Sequence, residues 1–157
     1  MRRIPHRLWL RASLVLLLGL SLGACFGPEK DTHPNQVLTK RRALFKQFTR
    51  MLEPIGLVAS GRKPYQREEF LSSVQDLEKL ADKPWLYFPA DGNYPPTRSK
   101  PEVWSQPEKF KLAQDNYRSA VHELLLVAQR GDQPALAKAV DAVTASCKSC
   151  HRDFRNE

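Results

Sequence analysis

Nothing in the chain alternates the way strands do. No β-rich segment of alternating apolar and polar residues occurs in its 157 residues, which argues against a sandwich, a barrel or a βαβ unit. No internal repeat occurs either, which argues against a solenoid or a propeller. No paired carboxylates, activated nucleophile or polar base forms a recognisable set, so the sequence carries no signature of an enzyme. A basic face interleaved with base-reading residues is missing as well, which argues against nucleic acid as a partner. Acidic residues are absent from the first 24 positions, where four arginines stand: Arg2, Arg3, Arg7 and Arg11.

That last absence explains the charge. The formal charge is +8, but it is concentrated at the N-terminus. Removing those four from the 25 Lys and Arg leaves 21 against 17 Asp and Glu, a balance of +4. Residues 1–11 form a basic stretch, and residues 12–23 form an apolar one of secretory length that is too short for a membrane span. It ends in Leu22-Gly23-Ala24-Cys25. Small residues before a cleavage point suit a tight peptidase groove, and a Cys directly after Leu-Gly-Ala resembles the bacterial lipobox. Residues 1–24 are therefore expected to be a lipoprotein signal peptide. Cys25 is the expected lipid attachment site, with plain cleavage and a free or disulfide-bonded thiol as the alternative. Both place the domain outside the cytoplasm, on the periplasmic side of the cell envelope, where Phe26 after the cysteine favours the outer membrane by resemblance to other lipoproteins. Residues 25–36 are polar and Pro-containing and are expected to be a tether.

From Leu38 the apolar spacing is helical. Leu38, Arg41, Phe45, Phe48, Leu52, Ile55 and Ala59 step by alternating threes and fours, the seam of a packed helix; Pro54 is expected to kink it and Ser60-Gly61 to end it. A second helix is predicted over 67–81, with Phe70, Val74, Leu77 and Ala81 on one face. Residues 83–100, rich in proline and aromatics, are predicted to be a long irregular loop packed over the end of the domain. A third helix starts at Pro101 or Pro107 and runs to Arg130, with Phe110, Gln114, Tyr117, Val121, Leu124 and Ala128 on its seam. Gly131 to Pro134 reads as a stop and a restart. The last helix carries Leu136, Val140, Val143, Cys147, Cys150 and Phe154 on one stripe. The expected fold is all-α, an antiparallel four-helix bundle over residues 37–157.

The densest chemistry lies at the end: Cys147-Lys148-Ser149-Cys150-His151, the C-x-x-C-H pattern of covalent haem attachment. Two thiols must reach the two vinyl groups on one edge of the porphyrin, and an imidazole must reach the iron from the same segment. At i and i+3 the cysteines share a helix face, and His151, four past Cys147, projects to the same side as the expected iron ligand. Arg155, four further on, stays on that side and is expected to cover the open edge of the proximal pocket. Two other readings stand beside this one. A zinc site would need a fourth ligand such as His33 or His122, and a redox dithiol would need a βαβ context. Three cysteines serve one haem and one lipid with none left over.

A haem motif at the end of a four-helix bundle resembles the cytochrome c′ family, the class II c-type cytochromes. Further fragments occur in the same order: Arg41 with a bulky residue four later, Gly61-x-x-Pro-Tyr65, Pro84-Trp85 with Phe88, Pro101-Glu-Val-Trp104, and residues 146–155. The resemblance implies one covalent haem c and a first helix that supplies the distal wall. Phe45 then falls at the distal position, with Phe48 and Leu52 lining the same pocket; periodicity alone makes all three simple core residues. Some relatives place Met at the distal position, whereas Met51 here lies off the seam. A haem propionate is the expected partner of Arg41, the alternative being a side chain that snorkels to water. Trp85 and Trp104 are expected to serve packing, and His122 to lie on the surface.

The resemblance implies two functions of different kind. One is a five-coordinate haem protein that binds a diatomic gas, nitric oxide foremost. The other is an electron carrier serving a periplasmic redox chain; the lysines of helices one, three and four read as a solvated face, with docking of an acidic redox partner as the alternative. Relatives often dimerise through the first helix, so a homodimer is a further expectation of the resemblance.

Overall fold

The computed structural model describes residues 30–157; the expected signal segment and Cys25 lie outside the described residues. Among the described residues there are five α-helices: α1 (Val37–Ala59), α2 (Arg67–Leu80), α3 (Glu102–Ser105), α4 (Pro107–Arg130) and α5 (Gln133–Phe154), with a 3₁₀ turn at Lys83–Tyr87 between α2 and α3. Among the described residues the β structure is a single isolated bridge, Ser99 to Arg155. The helix α1 packs on α2 and α5, α2 on α4, and α4 on α5. Consecutive long helices are thus adjacent in space, and the four close an antiparallel four-helix bundle. Among the described residues no helix is long and apolar enough to cross a membrane.

The predicted seams become the core. Val74, Leu77, Val121, Leu124 and Val143 are fully buried at its centre, each burial contributing about 1.5–3 kcal/mol. In α1, Leu38, Arg41, Phe48 and Ile55 are buried, while Phe45 and Leu52 are half-buried. Pro54 lies inside α1 without ending it, since proline removes one backbone donor and the rest of the ladder continues. In α2, Glu68 and Glu69 occupy the first turn and Lys79 the last, signs that complement the helix dipole.

The two candidate starts of the third helix are both used. Pro101 precedes the single turn of α3 and Pro107 opens α4, with Gln106 at φ −128° breaking the helix between them. After α4, Gly131 takes φ 71° and donates to the Val127 and Ala128 carbonyls. A Cβ at this glycine would lie 1.7 Å from Arg67 Nη1, so the turn closes directly against the start of α2. Asp132 then caps α5, accepting from the Ala135 amide at 3.3 Å.

The described part of the expected tether is held against the bundle. Tyr94 donates its hydroxyl to Asp31 Oδ1 at 2.6 Å, and the Thr39 amide donates to Asp31 Oδ2 at 2.7 Å. His33 stacks on Tyr94 with ring centroids 5.5 Å apart and pairs through Nε2 with Asp91 at 3.1 Å. Burial pushes the Asp31 carboxyl up, but the hydrogen bonds from Tyr94, Thr39 and His33 outweigh it and hold the group below the usual carboxylate range. The irregular segment after the 3₁₀ turn thereby clasps the entry to α1.

Candidate functional site

The last two turns of α5 present Cys147, Cys150 and His151 to one cavity of about 780 Å³, a size typical of cofactor sites. The helical spacing puts them there, and Phe154, which lines the same cavity, anchors the end of the helix. Phe154 is buried edge-on to Phe110 at 5.2 Å, in a small cluster with Val103 against which Cys150 packs. No disulfide joins the two cysteines. Burial pushes Cys147 up against a smaller lowering from Ser146. Burial and then the charges of Cys147 and Asp153 push Cys150 up to about 11. Burial and the neighbouring Arg155 guanidinium hold the His151 imidazole below its ordinary value. At neutral pH this helix therefore offers two neutral thiols and a neutral imidazole whose lone pair is available to a metal.

The α1 side of the cavity carries Phe45, Phe48 and Leu52. Phe45 meets Phe48, Trp85 and Phe88 edge-on at 5.6, 5.9 and 6.4 Å, the offset arrangement that aromatic quadrupoles favour. Trp85, Phe88, Phe110 and Tyr117 complete the apolar lining. Met51 does not line the cavity; it packs against the main core.

Arg41 is 3% exposed, so it does not snorkel to water. Its Nη1 donates to the Tyr87 carbonyl at 3.2 Å and its Nη2 to Thr97 Oγ1 at 2.8 Å, and its guanidinium lies 4.3 Å from the Phe88 ring centre. Burial draws it down to about 10, still charged at neutral pH. It borders the cavity with Arg42, Lys46, Arg98 and Arg155, against one acid, Glu53.

The donor set fits a haem. An aromatic slot accepts a flat apolar macrocycle, two thiols and an imidazole share one wall, and guanidinium groups border the slot where two carboxylate arms need partners. Every residue singled out from the sequence for this pocket, Arg41, Phe45, Phe48, Leu52, Cys147, Cys150, His151 and Arg155, lines the one cavity. The candidate fourth zinc ligands are elsewhere: His33 is paired with Asp91, and His122 Nδ1 lies 3.0 Å from Glu78 Oε1. Among the described residues no group of three or more metal-ligating side chains gathers. Trp104 serves packing, its indole N–H donating to the Pro89 carbonyl at 2.7 Å. Trp85 does more than packing, since it lines the cavity, as do Phe88, Phe110, Tyr117 and Arg98, which sequence reasoning had not placed there. The proline-bounded aromatic cluster around Trp85 was the available signal.

Comparisons with known proteins agree with this geometry. A family model described as cytochrome c′ matches residues 36–155. The cytochrome c′ of Alcaligenes xylosoxydans xylosoxydans is 32% identical over 103 residues, covering 64% of this chain and 77% of that protein. Among solved structures, a nitric oxide complex of a variant cytochrome c prime from Alcaligenes xylosoxidans matches with a TM-score of 0.76 at 26% identity, over 82% of this chain and 99% of that one. A carbon monoxide-bound variant from the same organism matches with a TM-score of 0.76 at 26% identity, over 82% of this chain and 100% of that one.

Proposed function

Because this chain belongs to the cytochrome c′ family and carries that family's one covalent haem c, we propose that it captures nitric oxide on the periplasmic side of the cell envelope. The haem supplies an iron able to bind a small gas. Cys147 and Cys150 would form the thioether links and His151 would ligate the iron, its neutral imidazole already favoured by burial and by Arg155. Arg41 would receive a propionate with the N–H groups not directed at Tyr87 and Thr97.

One observation supports the reading: the α1 seam residues that line the cavity past Arg41 are hydrocarbon, with the polar Arg42, Lys46, Thr49 and Glu53 of the same helix lining it beside them. Phe45, Phe48 and Leu52 line the cavity and Met51 stays outside it, so α1 brings no methionine to the space that His151 faces. Axial identity and distal polarity are the protein's main levers on haem function. An aromatic wall offers no hydrogen-bond donor to a bound gas. Nitric oxide needs none, whereas oxygen gains much from one. A lipid on Cys25 anchors the domain to the membrane, and outer-membrane attachment is favoured.

A second reading, an electron carrier, draws on the cationic rim of Arg42, Lys46 and Arg98, which suits an acidic redox partner. Spectra of the oxidised and reduced holoprotein, followed by titration of the ferrous form with nitric oxide, decide between them. A high-spin spectrum with nitric oxide uptake and no stable oxygen complex is expected. A low-spin ferrous spectrum with a methionine ligand and no reaction with nitric oxide overturns the proposal.

A further inference from the structure

An α-helix leaves its last four carbonyls without partners of its own. In α5 that end is also the turn that carries His151, so whatever closes it decides how firmly the imidazole is held. The His151 carbonyl accepts from the Arg155 amide at 3.0 Å. The Arg152 and Phe154 carbonyls are met from outside the helix, and by one residue. Lys100 Nζ donates to the Arg152 carbonyl at 2.7 Å, and the Lys100 amide donates to the Phe154 carbonyl at 2.9 Å. With the Asn156 amide donating to the Arg98 carbonyl at 2.8 Å, these bonds frame the bridge between Ser99 and Arg155.

The segment that supplies Lys100 is itself held in place. Pro101 restrains the residue before it to extended backbone, which lets residues 98–100 lie alongside the chain end. Thr97 Oγ1 accepts from the Ser99 amide at 3.1 Å and from Arg41 Nη2 at 2.8 Å, and Arg41 is buried in α1. Residues 97–100 thus run from the α1 side of the haem cavity to the end of the haem-bearing helix, and Arg98 and Ser99 line the cavity on the way. Lys100 is half-buried. Asp153, the acid in the last turn, pairs with Arg152 Nε at 3.0 Å and leaves the Lys100 ammonium to the carbonyl.

We infer that Lys100 is a positioning residue for the haem: it closes the last turn of α5 from outside, fixing the direction of the His151 imidazole and the exit of the chain at Arg155. The inference rests on His151 as the iron ligand and not on which gas or redox partner the haem serves. A helix end frays when its carbonyls are left to water, and an imidazole on a fraying turn points in a range of directions. A cation at a helix C-terminus also meets the negative end of the dipole, so the ammonium closes this turn better than a neutral donor. The bridge to Ser99 holds Arg155 in extended backbone, φ −130° and ψ 134°, and the Arg155 side chain lines the cavity from there.

Lys100→Met in the holoprotein tests it, since the change keeps the stem and the backbone amide and removes the ammonium. Deuterium uptake of the peptide 152–157, read by mass spectrometry, is expected to speed up about tenfold, the factor for one lost hydrogen bond of ordinary strength. The iron–histidine stretching band of the ferrous form, read by resonance Raman, is expected to broaden and move to lower frequency, because the imidazole is no longer held in one direction. Lys100→Arg, which keeps a cationic donor, should restore both readings. Lys109→Met, which removes a cation from the same surface groove, should change neither. A band that stays in place while uptake rises shows a helix cap that does not position the ligand, and overturns the inference. Unchanged uptake, or an equal shift of the band in Lys109→Met, does the same. A wild type with no iron–histidine band overturns the ligand assignment itself, and the inference with it.

Discussion

Replacing Phe45 by alanine tests whether the aromatic wall controls gas access. The ring makes edge contacts with Phe48, Trp85 and Phe88 at 5.6, 5.9 and 6.4 Å. A gas entering on the α1 side requires the ring to swing, and a swing toward one neighbour gives up contact with the other two. Each aromatic pair contributes about 0.5–1.5 kcal/mol beyond area burial, so the motion costs about 1–3 kcal/mol. Removing the ring should return that energy to binding, roughly a 5- to 150-fold rise in carbon monoxide affinity. Phe45→Leu, which keeps bulk but no ring edges, should fall between. The same change should lower stability by about 2 kcal/mol, below the full range for truncating a buried Phe because Phe45 is half-buried. Carbon monoxide titration of the ferrous holoprotein by absorbance gives the first number, and urea denaturation the second. An unchanged or weakened carbon monoxide affinity, alongside the expected loss of stability, would show that Phe45 packs the domain without gating the iron.

Four further outcomes are expected. Haem should stay attached to the wild-type protein in acidified organic solvent and be released when Cys147 and Cys150 are both replaced by Ser; free extraction from the wild type refutes the thioether links. Wild-type protein should fractionate with membranes and carry acyl groups by mass spectrometry, whereas Cys25→Ser should not; soluble, unacylated wild-type protein counts against the anchor. Arg41→Met should destabilise the holoprotein by about 2–4 kcal/mol in urea, because it removes charge-assisted bonds and leaves the Tyr87 carbonyl and Thr97 hydroxyl without their donor; a loss within error of zero would mean that the loop does not depend on Arg41. Asp31, depressed in the folded state, contributes stability that is complete above its unfolded value of about 4 and is lost as pH falls from there toward the folded value. The stability gap between wild type and Asp31→Asn should therefore be constant from pH 7 to 5 and shrink below pH 4, and a gap that widens on acidification contradicts the clasp.

What could be determined from the sequence was local. Steps of three and four place Leu38, Phe48 and Ile55 on one face because α-helical geometry alone decides which residues share a side. Gly131 ends α4 because its backbone takes φ 71°, which disfavours a side chain. Cys147, Cys150 and His151 converge because one helical turn separates them, whatever the rest of the chain does. The tertiary structure decided what meets these elements across space. Arg41 on the α1 seam finds its partners in Tyr87, Thr97 and Phe88, about 50 residues away. Trp85 and Tyr117, each a packing residue by composition, turn one side to the haem cavity. The stretch after Lys30 is pinned to Tyr94 and Asp91. These contacts depend on the path of residues 83–100, an aperiodic segment whose course is set by the proline-limited backbone and by the close packing of rings against three helices, and no residue spacing encodes that path.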